Sequence, residues 1–409
     1  MNFDNNSLYN IKSSVDGKRY SLFELATWKN GLAFKKINFC ETGVPVIKIA
    51  ELNNGIGGTT AYTQQTFSED VHLCKGDLLF SWSGNPQTSI DIFRFNLDEG
   101  WLNQHIFKVT PDEKIVDRDY FYFLMKNLKP HFTQIATNKQ TTGLGHVTIA
   151  DIKRMSVVIP SLDVQREMVS YIKPIDDKIE LNNEINNNLE QQTQAIFKSW
   201  FVDFELNYGI MPSDWKVSQL GSIAKISTEV FSPAKNPNAE VEHYSIPAYD
   251  EKRYPVFETS NGIKSNKYRL SSNSVMISKL NPDTKRIWRP YCISDKPICS
   301  TEFIVYEPIN PLNRDFIYSI IDSIGFSAFL CSHTTGSTNS RQRATPSVTL
   351  TYDIIVPDEK TIQAFCSIVS PMYDTIENNI KENQKLAETR DKLLPKLMSG
   401  ELDVSDIDL

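Results

Sequence analysis

The chain has 409 residues, of which 40% are hydrophobic and 23% are charged, and its formal net charge is −7. This length exceeds the roughly 100–200 residues of one domain, so two to four domains are expected. No apolar run approaches the roughly 18–20 residues that span a bilayer. The first residues also lack the basic and apolar regions of a secretory signal, so we expect a cytoplasmic protein. The six cysteines form no Cys-x-x-Cys pair, which favours reduced, mostly buried thiols over a disulfide or zinc framework.

Strand-like runs and turn clusters alternate over the first 160 residues. The predicted strands are Val44–Ile49, Asp77–Trp82, Ile106–Val109 and Met155–Ile159. One helix is predicted over Arg118–Met125, between the third and fourth strands. The fourth strand ends at Pro160, where a proline stops the sheet, and a long helical pattern follows.

The same order of elements returns in the second half of the chain. Strands are predicted over Ser274–Ser278, Phe303–Tyr306 and Asp353–Val356, and a helix over Arg314–Ile321. The last strand ends at Pro357, 197 positions after Pro160 (357 − 160). A duplicated chain of this kind predicts a molecule with approximate two-fold symmetry, suited to a ligand that has two parts.

Each half ends in a heptad pattern that is typical of a coiled coil. The candidate seam residues are Ile175, Ile179, Asn182, Asn186, Leu189, Ile196 and Trp200 in the first copy, and Met372, Ile376, Asn379, Asn383, Leu386, Leu393 and Leu397 in the second. Asparagines fall at equivalent levels, and buried polar seam residues fix register and partner at a cost in stability. We expect the two helices to pair antiparallel as a rod of about 40–45 Å, from roughly 25–30 residues at about 1.5 Å each.

These patterns predict an α+β protein with a pseudo-two-fold internal repeat. Two globular mixed α/β domains are expected at residues 1–160 and 209–357. Two long helices at residues 161–208 and 358–409 are expected to form the antiparallel coiled coil that separates them.

Motifs of known catalytic chemistry are absent or incomplete. No GxxxxGK[ST] loop indicates ATP hydrolysis. Asn-Pro-x-Thr at 85–88 and 281–284 lacks the second proline and the aromatic residue of an amino-methyltransferase motif. Pro-Asp-Glu-Lys at 111–114 and 357–360 has contiguous acids, whereas a PD…(D/E)xK nuclease needs them apart. No histidines and cysteines stand at metal-site spacing, so we predict neither catalytic residues nor a metal site.

Two loops in each half are rich in groups that recognise nucleic acid. The candidate DNA-binding residues of the first half are Trp82, Ser83, Asn85, Gln87, Arg94, Asn138, Lys139, Gln140, Thr142 and His146. Those of the second half are Lys279, Asn281, Lys285, Arg286, Trp288, Arg289, Asn339, Arg341, Gln342 and Arg343. Asn and Gln suit adenine, Arg suits guanine, and Ser, Thr and Lys suit phosphates. The halves share scaffold residues but differ in these loops, as expected of two readers of different sequences.

The order in which these motifs occur is similar to that of one known protein family. The carrying features are the duplication, the junction Val158–Glu167, the helix that reaches Phe197–Phe201, the segment Met211–Lys216 and the ending Lys392–Leu402. In these the chain resembles the specificity subunit of a type I restriction–modification enzyme over nearly its whole length. Residues 1–20 lack the Pro-x-x-Trp segment that stands at 212–215, which leaves the first domain's edge open.

The resemblance implies two target-recognition domains that each read one half of a split double-stranded DNA site. It also implies two methyltransferase subunits docked on the helices, and restriction subunits that join them. S-adenosylmethionine, ATP and Mg²⁺ would bind the partner subunits, and no cofactor is expected in this chain. Two alternatives stay open: a methyltransferase or nuclease with an unrecognised active site, and a coiled-coil scaffold that binds no DNA.

Overall fold

The protein is described by a computed structural model that covers residues 9–10, 15–57, 60–140, 143–335 and 342–402. Its contacts divide the chain into two compact units. We call residues 1–177 with 387–409 the first module, and residues 178–386 the second module. The domain bounds predicted from the sequence follow strand–helix junctions instead, whereas the contacts assign part of each long helix to each module.

The first module is built on two four-stranded sheets. One is antiparallel, in the order Ala26–Asn30, Ile106–Pro111, Leu78–Ser81 and Asp91–Arg94. The other has the order Tyr62–Thr63, Val44–Ile47, Glu99–Leu102 and His72–Cys74, and its two central strands run parallel. Smaller sheets join Tyr9–Asn10, Met155–Ile159 and Lys18–Ser21, and Gly145–His146 with Ser83–Gly84.

The second module repeats this topology. Its antiparallel sheet has the order Ala224–Ser227, Phe303–Pro308, Val275–Ser278 and Ile287–Trp288. Its five-stranded sheet has the order Val230–Phe231, Lys267–Arg269, Pro297–Cys299, Glu240–Tyr244 and Val256–Thr259, again with one parallel pair in its interior. Smaller sheets pair Lys216–Gln219 with Asp353–Val356, and Thr334–Thr335 with Arg343–Ala344. The predicted internal repeat is therefore confirmed at the level of strand order.

Short helices pack on the sheets of each module. They are Ile49–Asn54, Arg118–Asn127, Lys129–Asn138 and Ile149–Arg154 in the first module, and Ile246–Lys252, Arg314–Asp322, Ile324–Ser332 and Pro346–Thr349 in the second. The helices predicted from Arg118 and from Arg314 are confirmed. Their apolar faces supply Phe121, Phe123, Phe316 and Ile320 to the two main cores.

Three of the six cysteines depart from the prediction of buried thiols. Cys40, Cys74 and Cys331 are exposed, and none of the six forms a disulfide. Cys299 and Cys366 are buried, and Cys292 is intermediate. Burial raises the pKa of the Cys366 thiol to about 11, which keeps it protonated at neutral pH.

Within the described residues, no single helix is long and apolar enough to cross a membrane. The stretches Pro311–Asp322 and Ile324–Ser332 pass that test only as a pair bent by 64°. Both supply buried side chains to the core of the second module, among them Phe316 and Phe326.

The two long helices span Leu162–Phe201 and Glu359–Ser399, with 40 and 41 residues. Both exceed the predicted 25–30 residues, because each also packs on the core of a module. At about 1.5 Å per residue, each is roughly 60 Å long. In the second module they are joined by side-chain amides of the predicted seam. Asn182 Nδ2 donates to Asn383 Oδ1 at 2.8 Å, and Asn379 Nδ2 donates to Asn186 Oδ1 at 2.9 Å. Residue numbers rise on one helix as they fall on the other, which confirms the antiparallel pairing.

In the first module the same two helices meet through an apolar contact and an ion pair. Ile172 packs in one core cluster with Leu394 and Leu397. Arg390 Nη1 lies 2.8 Å from Asp176 Oδ1. Ile175, a predicted seam residue, is only half-buried, because the helix turns Asp176 inward toward two arginines.

The other predicted seam residues fall into two classes of burial. Asn182, Asn186, Ile376 and Leu397 are buried, whereas Ile179, Leu189, Ile196, Trp200, Met372, Asn379, Asn383, Leu386 and Leu393 are half-buried. Two seam asparagines, both on the first long helix, are therefore as buried as the best-packed apolar seam residues.

The amide pairing predicts a specific cost for losing Asn182. Its side chain is 0% exposed and also donates to Glu382 Oε2 at 2.7 Å. Replacing Asn182 with Ala removes two hydrogen bonds between the helices, one of them to a carboxylate, so we expect a loss of about 1–3 kcal/mol in the free energy of unfolding. Urea denaturation of the variant measures this loss. Asn187→Ala, at an exposed position five residues further along, is the control and should change stability by less than about 0.5 kcal/mol. Equal losses of unfolding free energy in the two variants would contradict a specific role of Asn182 in the seam.

Candidate nucleic-acid interface

In the first module, Arg94 ties the antiparallel sheet to the first long helix. Its guanidinium lies 3.0 Å from Asp119, 3.2 Å from Asp176 and 4.0 Å from Asp177. It also lies over the Tyr122 ring, 4.0 Å from the centroid. Arg94 stands at the end of a strand rather than in a loop, and its side chain is 15% exposed. We call this group the first arginine clamp.

The second module has the same device at Arg289. This guanidinium lies 2.9 Å from Asp315, 2.6 Å from Asp374 and 3.1 Å from Glu377. Asp315 opens a short helix of the module, whereas Asp374 and Glu377 belong to the second long helix. We call this group the second arginine clamp. The repeated pairs Arg118-Asp119 and Arg314-Asp315 were visible in the sequence, but nothing in it showed which arginine they would face.

The clamps correct the prediction at Arg94 and Arg289. Both side chains were expected in DNA-reading loops, yet each is held by carboxylates of its own module. Burial raises the pKa of Asp315, but Arg289 and Arg314 more than offset this and hold that pKa below its usual value. A DNA contact at Arg289 would leave a buried carboxylate without this partner, which is costly.

The predicted loops of the first module are brought together by backbone pairing. Ser83 pairs with His146, and Gly84 with Gly145, in a two-stranded ladder. Val147 N also donates to Trp82 O at 2.8 Å. Side chains that are about 60 residues apart in sequence therefore share one surface.

Two glycines of this ladder lie too close to neighbouring atoms to carry a side chain. A Cβ on Gly145 would lie 2.3 Å from the carbonyl oxygen of Ala136. Gly84 has a φ of +131°, and a Cβ there would lie 2.6 Å from the Ser89 Cβ. Both positions therefore exclude larger side chains: Gly145 packs on the end of the helix Lys129–Asn138, and Gly84 packs on Ser89.

The predicted loops of the second module meet in the same way. Leu280 and Arg343 form an antiparallel bridge, and Asn281 N donates to Gln342 O at 2.9 Å. Ala344 N donates to Lys279 O at 2.9 Å. Asn281 takes the left-handed conformation at a φ of +48°, which asparagine tolerates better than most residues. We call each meeting of two loops a loop junction.

The two junctions present different chemistry. Asn85, Gln87, Asn138 and Gln140 are exposed in the first, which is rich in neutral amides. The second presents mainly cations, and carboxylates of the same module pair with them. Lys285 pairs with Asp322, and Arg286 reaches Asp250 through two bonds of 2.6 and 2.9 Å. Arg343 is held by Glu302.

Lys139 has a partner of its own in the first module. Its ammonium lies 2.5 Å from the buried carboxylate of Asp151, which caps the helix Ile149–Arg154. Burial raises the pKa of Asp151, but hydrogen bonds from Lys139 and Thr148 outweigh burial and hold the pKa below its usual value.

Both tryptophans of the predicted interface pack inside their modules. Trp82 donates its Nε1–H to Asn30 Oδ1 at 3.0 Å and stacks on Phe107 with 5.7 Å between centroids. Trp288 lies in a strand, is 3% exposed and meets the Tyr244 ring edge-on at 4.8 Å. Neither is placed to stack on an unpaired base. Thr142, Asn339 and Arg341 lie outside the described residues.

The described residues hold no group of three His, Cys, Asp or Glu side chains that could bind a metal ion. A cavity of about 680 Å³ lies in the second module and is lined mainly by apolar side chains such as Phe197, Phe201, Ile320 and Ile354. Its polar margin includes Asp322, which already pairs with Lys285. The cavity therefore offers an apolar surface rather than a set of reacting groups.

Comparison with known proteins decides the family. The family model described as the type I restriction modification DNA specificity domain matches twice, at residues 15–191 and 212–388. The chain belongs to this family. As a specificity subunit, it serves DNA sequence recognition in a type I restriction–modification system, and its two matches coincide with the internal repeat.

Two curated specificity subunits are similar to it in sequence. The type I restriction enzyme HindI specificity subunit of Haemophilus influenzae is 24% identical over 403 residues, covering 80% of this chain and 87% of that protein. The MjaIX specificity subunit of Methanocaldococcus jannaschii is 26% identical over 338 residues, covering 75% and 73%.

One solved structure shares the fold. The S subunit of the type I restriction–modification system from M. genitalium superposes with a TM-score of 0.54 at 14% identity, covering 94% of this chain and 96% of that one.

The second arginine clamp predicts a stability role for Arg289. Replacing Arg289 with Ala leaves Asp315 buried without this partner, so we expect a loss of about 3–5 kcal/mol in the free energy of unfolding. A carboxylate with a lowered pKa stabilises the fold above about pH 4, and this contribution is lost as the pH falls. The acid side of the stability curve should therefore be shallower in the variant. Urea titrations between pH 3 and 7 measure both effects. Arg269→Ala, at a partly exposed arginine that pairs with the exposed Glu229 in the same module, is the control.

The first loop junction predicts a steric cost at Gly145. In Gly145→Ala the added Cβ collides with the Ala136 carbonyl, so we expect the ladder to open. Amide exchange at Val147 measures this, because its N–H bonds across the junction, and it should quicken by about tenfold or more, as a cost of about 1–3 kcal/mol implies. In Gly57→Ala the added Cβ meets nothing within 4 Å, so that variant should leave Val147 unchanged. Unaltered exchange in both would refute the steric argument.

Proposed function

We propose that each module of this specificity subunit reads one half of a bipartite double-stranded DNA target through its loop junction. The observation that carries the proposal is the backbone pairing that joins two distant polar loops in both modules. Neutral amides of the first junction suit adenine, and the cationic side chains of the second suit guanine and phosphate. Two domains that recognise different half-sites are expected to share a fold and to differ in their loop residues, as these two modules do.

We further propose that the chain is non-catalytic and that its long helices bind two methyltransferase subunits, which restriction subunits join. Leu181 and Ile185 support a partner surface: they are one helical turn apart and 50% and 37% exposed on an otherwise polar stretch. S-adenosylmethionine, ATP and Mg²⁺ would then bind the partner subunits. The net charge of −7 agrees with a reader that relies on its partners for part of the phosphate neutralisation.

The test is DNA binding by the chain reconstituted with its methyltransferase subunits. We expect specific binding only when both half-sites are present at one spacing. Indifference to sequence in either half would refute bipartite reading. Methylation or cleavage by the purified chain alone, with S-adenosylmethionine or Mg²⁺ added, would instead favour an enzyme. No DNA binding under any condition would favour a scaffold.

The first junction yields a prediction about base preference. In the double variant Gln87→Ala with Gln140→Ala, exposed amides are lost while the ladder stays. We expect discrimination at one or two base pairs of one half-site to fall by about 1–3 kcal/mol for each lost bidentate contact. Binding to DNA libraries with each position randomised measures this. Gln64→Ala removes an exposed amide of the same module outside both loops and should change nothing. A loss spread over both half-sites would contradict the assignment.

A further inference from the structure

Arg343 and Glu302 form an ion pair at the loop junction of the second module. Arg343 Nε and Nη2 each lie 3.0 Å from one oxygen of the Glu302 carboxylate. The side chains are 44% and 30% exposed, so the pair stands at the surface of the module. A guanidinium held by two parallel bonds has a fixed plane, which a lone surface arginine lacks.

Both residues of this pair are attached to the core by their backbones. Glu302 comes directly before the strand Phe303–Pro308, and its carbonyl accepts from Lys279 N at 2.9 Å. Arg343 pairs with Thr335 on one side and forms the bridge to Leu280 on the other. Ala344, the next residue, is 3% exposed. The guanidinium is therefore positioned by the same contacts that hold the junction together.

The orientation leaves one edge of the guanidinium available. Glu302 occupies Nε and Nη2, and Nη1 has no partner among the described residues. The end that carries Nη1 and the second Nη2 hydrogen presents two parallel donors. Guanine offers two matching acceptors, O6 and N7, in the major groove, and this is the commonest base-specific contact of arginine.

The other basic side chains of this junction are less suited to such a contact. Arg286 uses Nε and Nη2 for Asp250, and its Nη1 donates to Thr284 O at 3.3 Å. Its side chain is 13% exposed. Arg289 is buried in the second clamp, and Lys285 is drawn to Asp322.

The charge of the pair favours a base over a phosphate. Arg343 with Glu302 carries no net charge, so its attraction for the DNA backbone is weak. A phosphate contact needs positive charge, whereas a base contact needs direction. Glu302 supplies that direction.

We propose that Arg343 reads a guanine in the half-site of the second module, and that Glu302 is the positioning residue which aims it. The inference rests on the proposed function and adds the base and the residue pair. In the first module the position 197 residues earlier is His146, so the proposed Arg343 contact has no arginine counterpart there (343 − 146 = 197).

The test compares Glu302→Gln and Arg343→Lys in the chain reconstituted with its methyltransferase subunits. Each base pair of the target is varied in turn, and binding is measured for every base. Arg343→Lys keeps the positive charge but removes the two parallel N–H donors of the guanidinium. Glu302→Gln keeps the arginine but loosens its plane. Glu229→Gln is the matched control, since it neutralises the exposed carboxylate that pairs with Arg269 in the same module. Thermal unfolding of every variant confirms that it is folded.

We expect both variants to lose about tenfold or more in preference for guanine at the same single base pair. The other half-site should be read as before, and Glu229→Gln should match the unaltered chain. Three outcomes overturn the inference: unchanged preference at every position, an equal loss of affinity for all sequences, or a loss in Arg343→Lys that Glu302→Gln does not share. Failure of the unaltered complex to prefer any sequence would instead refute the proposed function itself.

Discussion

The two arginine clamps are the interaction on which the rest of the structure depends. In each module one guanidinium faces three carboxylates, of which one belongs to a short helix and the others to a long helix. Removing either partner of such a buried pair is far more costly than the pair is stabilising, so the arrangement fixes geometry rather than adding much stability. The sheet that ends in the loop junction is thereby attached to the helix by charge as well as by packing. A surface that recognises bases needs this fixed attachment, because hydrogen bonds to base edges are directional and are lost when the sheet changes its orientation.

The clamps also explain how the interface can be specific without being basic. The second module uses its cations internally: Arg289 in its clamp, Arg286 on Asp250 and Lys285 on Asp322. These three side chains are therefore not free to meet phosphates, in keeping with the net charge of −7. What remains at the junctions is directional chemistry, namely amides in one module and an oriented guanidinium in the other. Under the proposed function, the chain contributes discrimination between sequences, and the partner subunits contribute the unspecific attraction of DNA.

The repeat, the strands and the antiparallel helices could be predicted because they leave periodic or duplicated traces in the sequence. The strands predicted at Met155–Ile159 and Asp353–Val356 have the same bounds in the structure. The fate of individual polar side chains could not be predicted, because it depends on contacts that are distant in sequence. Arg94 and Arg343 look alike as residues, yet one faces Asp176 across the core and the other faces Glu302 at the surface. Helix length was underestimated because a heptad pattern marks only the helix–helix seam, and not the turns that pack on a sheet.

The asparagine seam makes helix register an all-or-none property. Asn182 meets Asn383, and Asn379 meets Asn186. The two pairs are related by the 197-residue shift of the internal repeat, because Asn182 corresponds to Asn379 and Asn186 to Asn383. Both pairs therefore form at the same alignment of the two helices. A slip of one heptad, about 10 Å along the axis, would put Asn182 opposite Ile376 or Arg390. Both amide pairs would then lose their partners at the same time. Intermediate alignments are excluded by the heptad itself. The two amide pairs therefore hold the helices in one register, and sliding one helix along the other would break both pairs at once.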